Sequence, residues 1–390
     1  MELKTWKYAV SAIQELSPYL PGKPIEELER ELGIEAGTTL KLASNENPLG
    51  ASPKAIAAVQ AKLNEYNHPT DIMRTLELYP DGSGHRLKQK LADKLSSDTI
   101  HITAEQITLG NGSNDVLDLI ARTFLTIRRD AVFSEYAFAV YPIVTKAAQA
   151  GAHIAKANPA DHTMPYGHNL DAMLHQIRGN THVVFIANPN NPTGTWLNSN
   201  ELDRFMQQVP RHVVVVVDEA YCEYVDRSVY PNTLEWLDKY PNLIVTRTFS
   251  KIYGLAGLRI GYSVSSPEIA DLLNRVRQPF NVNSLALTAA EAALDDDEHV
   301  EKSAELNRSG LQQWEQACKQ RELDYIPSVG NFITVKVGEN AKLIYEAMLR
   351  EAVIVRPVAN YNLPQHLRIT IGTKEQNERC IAALDKVMNL

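Results

Sequence analysis

Two polar clusters in this sequence contain residue types that enzymes use for covalent and acid–base chemistry. Asp218 comes directly after five valines at residues 213–217, and Tyr221 lies three residues further on. Lys251 follows an apolar run at residues 243–245, with hydroxyl residues just before it. A carboxylate beside so apolar a run is partly desolvated and needs a cationic partner, and a lysine near other cations has a lowered pKa. Both side chains are therefore candidates for catalytic roles.

Three further clusters supply groups that bind anions or fix turns. Residues 110–115 precede a helical run at 116–120, and their glycines, hydroxyl and free amides at a helix start suit a phosphate. A dinucleotide site is disfavoured there, because Asp115 stands where that motif requires a third glycine. Residues 188–194 form a turn rich in proline that presents an asparagine amide, and residues 254–261 add an arginine.

Each cluster alone has an ordinary structural explanation, such as a surface amine, a tight turn or a capped helix start. Together they match the needs of pyridoxal phosphate. This cofactor requires a lysine for covalent attachment, a carboxylate beside its pyridine nitrogen, donors to its ring oxygen and a cup for its phosphate. The combination of clusters, rather than any one of them, predicts a site for this cofactor.

The order of these motifs resembles a known family. Asn-Pro-Thr-Gly at residues 191–194, Asp-Glu-Ala-Tyr at 218–221, Ser-Lys at 250–251 and then Arg259 follow one another as in the fold-type I aminotransferases. Within them the sequence is most similar to the histidinol-phosphate aminotransferase group, and the likeness covers nearly the whole chain. Aromatic aminotransferases and threonine-phosphate decarboxylases share most of these motifs.

The resemblance implies a role for each residue of the cofactor site. Lys251 would carry the cofactor as a Schiff base and move a proton on the substrate, while Asp218 would hold the pyridine nitrogen protonated. Asn191 and Tyr221 would hydrogen-bond the ring oxygen, and Tyr136 would stack on the ring face. The residues implied in phosphate binding are Gly112, Ser113, Asn114, Thr248, Ser250 and Arg259, with Tyr79 supplied by the neighbouring subunit. The last assignment implies a homodimer with two shared active sites.

The resemblance also implies which residues hold the substrate. Arg368 would grip a substrate carboxylate, because a planar guanidinium pairs with carboxylate and phosphate alike. Arg356 and Tyr19 correspond to further anion contacts, although Arg356 also fits a surface residue before a proline, and Asn47 is the fourth candidate. The segment 64–78 looks longer than the usual link of the family. A surface insertion explains it better than altered substrate selection, because loops accept added length at little cost.

These assignments predict an enzyme of histidine biosynthesis that transfers an amino group between histidinol phosphate and 2-oxoglutarate. One alternative is an aromatic amino-acid aminotransferase of the same fold. Others are a threonine-phosphate decarboxylase and a member without activity that binds an effector or partner. A binding-only protein has no physical need for the lysine, which disfavours the last alternative.

The elements that must position these residues form an α/β fold. From about residue 50 to 300, short β-branched runs alternate with amphipathic helical stretches, which is typical of a parallel sheet covered on both faces. The resemblance implies fold type I, with a large domain built on a mostly parallel seven-stranded sheet between helices and a smaller α+β domain. The expected divisions are an N-terminal arm with part of the small domain at 1–48, the large cofactor-binding domain at 49–300, and the C-terminal small domain at 301–390.

Composition limits the partners that this chain can have. The 390 residues carry a net charge of −8 and are 44% hydrophobic, so disordered and fibrous classes are excluded. This charge gives no general attraction to nucleic acid or to anionic membranes, and the expected partners are small molecules. The first residues lack the apolar core of a secretory signal, and the three scattered cysteines suit reduced, packed thiols. A cytoplasmic protein without a metal site is expected.

Overall fold

Strands and helices alternate along most of the chain. The computed structural model describes residues 8–16, 18, 22–64, 77–226 and 228–389. The strands are β1 (Leu40–Lys41), β2 (Ile107–Gly110), β3 (Asp130–Ser134), β4 (Ala152–Ala155), β5 (Thr181–Ala187), β6 (Val214–Asp218), β7 (Leu243–Thr248), β8 (Gly261–Ser265), β9 (Tyr325–Ile326), β10 (Phe332–Lys336), β11 (Val353–Ile354), β12 (Arg356–Pro357) and β13 (His366–Thr370). The helices are α1 (Ser11–Gln14), α2 (Ile25–Leu32), α3 (Pro53–Asn64), α4 (His85–Leu95), α5 (Ser113–Phe124), α6 (Val140–Ala147), α7 (Leu170–Gln176), α8 (Ser199–Gln208), α9 (Pro267–Val276), α10 (Ser284–Ala293), α11 (Asp297–Gln320), α12 (Ala341–Arg350) and α13 (Lys374–Met388).

Seven strands form the central sheet in the order β2-β8-β7-β6-β5-β3-β4. Strand β8 runs antiparallel to both of its neighbours, and the remaining pairs are parallel. The prediction of a mostly parallel seven-stranded sheet between helices is therefore confirmed. The valine strand β6 is the fourth of the seven, as expected for a run that is apolar on both faces.

The valines of β6 contribute to two separate apolar cores, one on each face of the sheet. Val215 and Val217 pack with residues of α3, α4, α8 and α10. Val214 and Val216 pack with residues of α5, α6 and α9. Successive side chains of a strand point to opposite faces, so a strand covered on both sides must be apolar at every position. This packing holds the end of β6 firmly in place, and Asp218 is its last residue.

A smaller α+β part follows the large sheet. Strands β12, β13, β10 and β9 form an antiparallel sheet in that order, and β1 pairs in parallel with β11. A third apolar cluster lies between this sheet and helices α11, α12 and α13. The N-terminal segment thus joins the C-terminal part of the fold through β1. The predicted boundary after residue 300 falls inside α11, and the division into domains stays a prediction.

The link between residues 64 and 78 lies mostly outside the described residues, since 65–76 are not among them. The suggestion that it is a surface insertion therefore stays a prediction. In the described parts of the chain, no helix combines the length and the apolar character needed to cross a membrane.

Candidate active site

A cavity of about 450 Å³ opens where the parallel strands β5, β6 and β7 end. The carboxyl ends of parallel strands meet at one edge of a sheet, so residues far apart in the chain converge there. The predicted site residues that line the cavity are Ser113, Asn114, Asn191, Asp218, Tyr221, Thr248, Ser250, Lys251, Arg259 and Arg368.

Asp218 presents one unused carboxylate oxygen in a buried position. The residue is 4% exposed, and its Oδ2 accepts a hydrogen bond of 3.0 Å from the Tyr141 hydroxyl. Its Oδ1 has no hydrogen-bond partner among the described residues. Burial raises the pKa of this carboxyl to about 6, whereas the bond from Tyr141 lowers it. A buried carboxylate with a free oxygen is stabilised by a cation, so Oδ1 marks a place for a protonated nitrogen.

Lys251 presents an amine that is partly neutral at physiological pH. It lies in the loop after β7, and its Nζ donates a hydrogen bond of 3.1 Å to the backbone oxygen of Ser44. Burial and, secondly, the positive charge of Arg368 lower the pKa of the amine to about 7. The uncharged amine is the form that attacks a carbonyl group or accepts a proton. The local environment therefore prepares Lys251 for both tasks.

A buried ion pair joins the ends of the strands that carry these two residues. Glu219, directly after Asp218, accepts hydrogen bonds from Nε and Nη2 of Arg247 at 2.9 and 2.7 Å, and Arg247 lies on β7. The Glu219 side chain is fully buried and also accepts a hydrogen bond from Thr233. A charged pair with several hydrogen bonds has a defined geometry, so it fixes the end of β6 relative to β7.

Arg368 orients Asn191 within the cavity. Its Nη1 donates to Asn191 Oδ1 at 2.5 Å, and its Nη2 donates to the backbone oxygen of Ala43 at 2.8 Å. Because Oδ1 of the amide accepts from the guanidinium, Nδ2 is the atom of Asn191 left to donate. The Arg368 Nε has no partner among the described residues although it is buried. This arginine therefore keeps capacity for another anionic or carbonyl group.

The other end of the cavity has the features of an anion site. Helix α5 begins at Ser113, and the positive end of its dipole faces this region. Gly112 precedes it with φ of 82°, and a Cβ there would lie 2.5 Å from an Arg259 guanidinium nitrogen. A glycine thus lets Arg259 approach the helix start. Thr248, the last residue of β7, and Ser250, in the loop after it, add hydroxyl groups.

Arg356 lies in a neighbouring cavity rather than in the first. It is 6% exposed and stands opposite Arg368 in the antiparallel pair β12–β13, so both side chains project from the same face of the small sheet. The neighbouring cavity has a volume of about 740 Å³ and shares Ile143 with the first. Burial disfavours the interpretation of Arg356 as a surface residue. Two buried cations therefore lie side by side along adjoining cavities.

Tyr136, expected to stack on the cofactor ring, is not among the residues that line the first cavity. Its ring packs edge-on against Tyr166, with ring centroids 5.4 Å apart. From the same segment Phe138 lines the cavity instead. The stacking role of Tyr136 stays a prediction, and Phe138 becomes a second candidate for it.

The remaining predicted residues lie outside both cavities or outside the described chain. Asn47 is buried, and its Nδ2 donates to the Ile252 backbone oxygen at 2.7 Å and to Ser303 Oγ at 2.8 Å. It joins the loop after Lys251 to α11, and Asn45 is the asparagine that lines the cavity. Tyr79 is 81% exposed. Tyr19 lies outside the described residues.

Two residues of the site were missed by sequence reasoning. Tyr141 lies on α6 and reaches Asp218 because its ring stacks on Phe185 of β5, with centroids 4.9 Å apart. No spacing in the sequence predicts which face of α6 meets β6. Asn45 lies in the Ser-Asn-Glu-Asn-Pro stretch at 44–48. This stretch contains two asparagines, and the sequence alone does not show which of them reaches the site.

Comparison with known proteins assigns the chain to a family. The family described as aminotransferase class I and II matches residues 38–384. The chain belongs to this family. The resemblance inferred from the order of the motifs is therefore confirmed.

Relatives with a curated name are similar over nearly their whole length. The chain is 54% identical over 380 residues to histidinol-phosphate aminotransferase 2 of Pseudomonas fluorescens (strain Pf0-1), which covers 97% of each protein. It is 50% identical over 383 residues to histidinol-phosphate aminotransferase 1 of Nitrosococcus oceani, covering 98% of this chain and 97% of that protein.

Solved structures share the fold. The histidinol-phosphate aminotransferase from Sinorhizobium meliloti, in complex with pyridoxal-5′-phosphate, superposes with a TM-score of 0.84 at 27% identity, over 98% of this chain and 97% of that one. A single mutant of Thermus thermophilus aspartate aminotransferase superposes with a TM-score of 0.81 at 17% identity, over 97% and 99% of the two chains. The second likeness concerns the fold alone.

Proposed function

We propose that this protein is a histidinol-phosphate aminotransferase of histidine biosynthesis, which uses pyridoxal 5′-phosphate to exchange an amino group between histidinol phosphate and 2-oxoglutarate. The observation that supports this choice of substrate is the pair of buried arginines, Arg356 and Arg368. Histidinol phosphate has a phosphate and no carboxylate, whereas glutamate has two carboxylates. Two buried guanidinium groups on one face of a sheet accept either kind of anion, because the planar fork matches both.

The residues of the first cavity fit pyridoxal phosphate. Asp218 Oδ1 is buried without a partner, Lys251 has a lowered pKa, and the start of α5 with Arg259 suits a phosphate. When bound, pyridoxal phosphate supplies an electron sink that stabilises negative charge on the substrate carbon next to the amine. The carboxylate, amine and anion-binding groups that this requires all lie along one cavity.

Asp218 and Lys251 would handle the protons of the reaction. Asp218 would hold the ring nitrogen of the cofactor. That cation would favour the ionised carboxylate, so the pKa of Asp218 would fall below about 6 and Asp218 would keep the nitrogen protonated at neutral pH. Lys251, with a pKa of about 7, can take a proton from the substrate carbon and return it, because its two protonation states are close in free energy.

Asn191 and Tyr221 would donate to the ring oxygen of the cofactor, and Arg368 would bind a carboxylate of the substrate. The contact between Arg368 and Asn191 couples these two tasks. The phosphate group would be held by the start of α5 at Gly112, Ser113 and Asn114 and by Thr248, Ser250 and Arg259. Arg356, with Tyr19 as a further candidate, would complete the substrate site, whereas the amide of Asn47 is engaged by Ile252 and Ser303 away from both cavities.

We further propose that the protein works as a cytoplasmic homodimer that shares Tyr79 between subunits. The Tyr79 ring stacks on Phe280 with centroids 4.5 Å apart, and both rings are exposed, at 81% and 43%. Exposed aromatic pairs of this kind are common at protein interfaces. The three cysteines are free and buried, which fits a reducing compartment.

Single half-reactions test the substrate. The cofactor-loaded protein is mixed with histidinol phosphate or with phenylalanine, and the visible absorbance of the cofactor is followed. We expect a higher apparent second-order rate constant with histidinol phosphate. In Arg356→Gln this constant should fall about tenfold or more for histidinol phosphate, the effect of losing one charged hydrogen-bond pair, and change little for phenylalanine. A preference for phenylalanine in the unmodified protein would instead identify an aromatic aminotransferase.

A lysine substitution tests the catalytic assignment. Lys251→Ala should abolish turnover and remove the absorbance change that marks covalent attachment of the cofactor. Lys386→Ala is the matched control, because Lys386 lies on α13 in an exposed pair with Glu351. Full turnover in Lys251→Ala would end the assignment.

A further inference from the structure

Asn45 combines an uncommon backbone conformation with a set of buried contacts. It is 1% exposed and adopts φ of 55°, in the left-handed region. Glycine adopts this region at a lower cost, although asparagine tolerates it better than most residues. An asparagine buried in this conformation points to a use for the amide itself.

The Asn45 amide contacts Tyr221, and its backbone is held by the small α+β part. Its Nδ2 donates to the Tyr221 hydroxyl at 3.0 Å. Its backbone N–H donates to Thr370 Oγ1 at 2.9 Å, and its backbone oxygen accepts from Asn331 Nδ2 at 3.0 Å. The amide is therefore fixed by residues of β13 and of the segment before β10, and it reaches across to the large sheet.

This contact decides what the Tyr221 hydroxyl can do. A tyrosine hydroxyl has one proton to donate and lone pairs to accept with, and an amide NH₂ group can only donate. The bond from Asn45 therefore occupies a lone pair and leaves the proton for another acceptor. Among the described residues, none accepts a hydrogen bond from Tyr221. The side chain lines the cavity, so the proton is available to a ligand there.

We propose that Asn45 is a positioning residue that directs the Tyr221 proton towards the ring oxygen of the cofactor. The inference rests on the proposed function only for the identity of that acceptor. Asn45 does not touch the reacting atoms and acts through Tyr221. Because its backbone is held by Thr370 and Asn331, the direction of the Tyr221 hydroxyl depends on where the small part sits against the large sheet.

Because Asn45 donates to Tyr221 and does not accept from it, two substitutions of Asn45 should differ in their effect. Asn45→Gly removes the donor and relieves the backbone angle. Asn45→Asp preserves the shape but replaces the donor by a carboxylate, which can accept the Tyr221 proton and draw it away from the cavity. A role in packing alone predicts that glycine is the more harmful change, whereas the proposed role predicts that aspartate is.

The test is a pH titration of the visible absorbance of the cofactor-loaded protein. A donor to the ring oxygen stabilises its ionised form, so losing that donor lets the bound cofactor keep its proton to higher pH. We expect the midpoint to rise by about 0.5 to 1 pH unit in Asn45→Gly, the effect of one neutral hydrogen bond, and further in Asn45→Asp. Tyr221→Phe should raise it too, and the double variant Tyr221→Phe with Asn45→Gly should rise no further.

Controls separate this inference from folding and from the proposed function. Asn389→Gly relieves a positive φ of 56° at the exposed end of α13 and should titrate like the unmodified protein. An unshifted midpoint in Asn45→Gly, a milder effect of aspartate than of glycine, or additive shifts in the double variant would each overturn the role of Asn45. If the unmodified protein gains no visible absorbance with pyridoxal phosphate, the proposed function is wrong. The ring oxygen of the cofactor is then not the acceptor of the Tyr221 proton.

Discussion

At the scale of single residues, the site depends on charged groups placed where burial disfavours charge. Asp218 and Lys251 have pKa values of about 6 and about 7, whereas the ordinary values of these groups are 3.8 and 10.5. Burial is the largest cause in both cases, and it acts in opposite directions because it disfavours the anion of one and the cation of the other. Each group therefore titrates close to neutral pH, where small changes in its surroundings alter its charge.

A first prediction follows for the stability of the cofactor-free protein. The folded pKa of Asp218 is raised above its unfolded value, so ionising it costs stability above pH 6, and this cost disappears as the pH falls towards 4. Asp218→Asn should therefore raise the free energy of unfolding at pH 7.5 by on the order of 1–3 kcal/mol and lose that gain near pH 4. Urea denaturation at both pH values measures it. Equal stability of the two proteins at pH 7.5 would show that burial does not raise the pKa of Asp218. The variant should be inactive in either case.

A second prediction concerns Tyr141, which donates to Asp218. Tyr141→Phe removes a bond that lowers the Asp218 pKa, so the pKa should rise by about one unit, the effect of losing a bond to a charged group. As the pH is lowered, the carboxylate is then protonated earlier, so cofactor binding should begin to weaken at a higher pH than in the unmodified protein. The dissociation constant of pyridoxal phosphate measured from pH 5 to 8 reports this.

The matched control for Tyr141 is another tyrosine that donates to a carboxylate. Tyr240 donates to Asp203 at 2.7 Å, away from the cavity. Tyr240→Phe should leave the pH dependence of cofactor binding unchanged. If Tyr141→Phe behaves like Tyr240→Phe, the contact with Asp218 has no effect on the cofactor site.

At the scale of elements, the phosphate end of the cavity depends on how closely β8 approaches the start of α5. A Cβ on Gly261, the first residue of β8, would lie 2.4 Å from the backbone nitrogen of Ser113 and 3.0 Å from the backbone oxygen of Arg247. Backbone atoms on both sides cannot yield as a flexible side chain does. The strand and the helix start can therefore meet only at a residue without a side chain.

A third prediction tests this close approach. Gly261→Ala should weaken binding of pyridoxal phosphate about tenfold or more and lower the free energy of unfolding by about 1–3 kcal/mol, the usual cost of overpacking. Fluorescence or absorbance titration measures the first effect and denaturation the second. Gly257→Ala is the control, because a Cβ there meets nothing within 4 Å. Equal affinities of the two variants would show that the spacing between β8 and α5 does not define the phosphate site.

The elements also explain which site residues could be predicted from the sequence. Asp218, Lys251 and Asn191 follow apolar strands, and parallel strands bring their carboxyl ends together whatever the details of packing. Asn45 and Tyr141 could not be found this way, because their contacts depend on how one element packs on another. The pairing of Arg356 with Arg368 depends on the register of β12 and β13, which two short strands do not reveal in their sequences.

At the scale of the whole molecule, the proposed sharing of Tyr79 makes a fourth prediction. Tyr79→Ala and Lys251→Ala each disable an active site, but through residues from different subunits. In a mixed dimer one site then contains both substitutions and the other contains neither. Unfolding and refolding a mixture of the two variants should therefore produce more activity than the sum of the separate variants.

The outcome of subunit mixing also distinguishes the alternatives. Mass measurement by light scattering establishes whether dimers form in each preparation. If mixed dimers form and their activity does not exceed the sum of the separate variants, Tyr79 acts within its own subunit. Full activity of Tyr79→Ala on its own would show that Tyr79 has no role at the site. The overall α/β architecture was predictable because β-branched runs and amphipathic helical stretches alternate in the sequence. The arrangement of subunits depends on the shape of the surface, which this pattern does not describe.

The stretch from Ala43 to Asn45 has a consequence for redesign of this protein. Its three consecutive residues contact three different side chains of the site, since Ala43 meets Arg368, Ser44 meets Lys251 and Asn45 meets Tyr221. The pairing of β1 with β11, just before this stretch, fixes the positions of these three residues along the chain. Removing or inserting a single residue between β1 and Asn45 would shift each of these contacts to a neighbouring residue. Ala43 and Ser44 contribute backbone oxygens, so their side chains can be varied more safely than the length of this stretch, whereas Asn45 contributes its side chain.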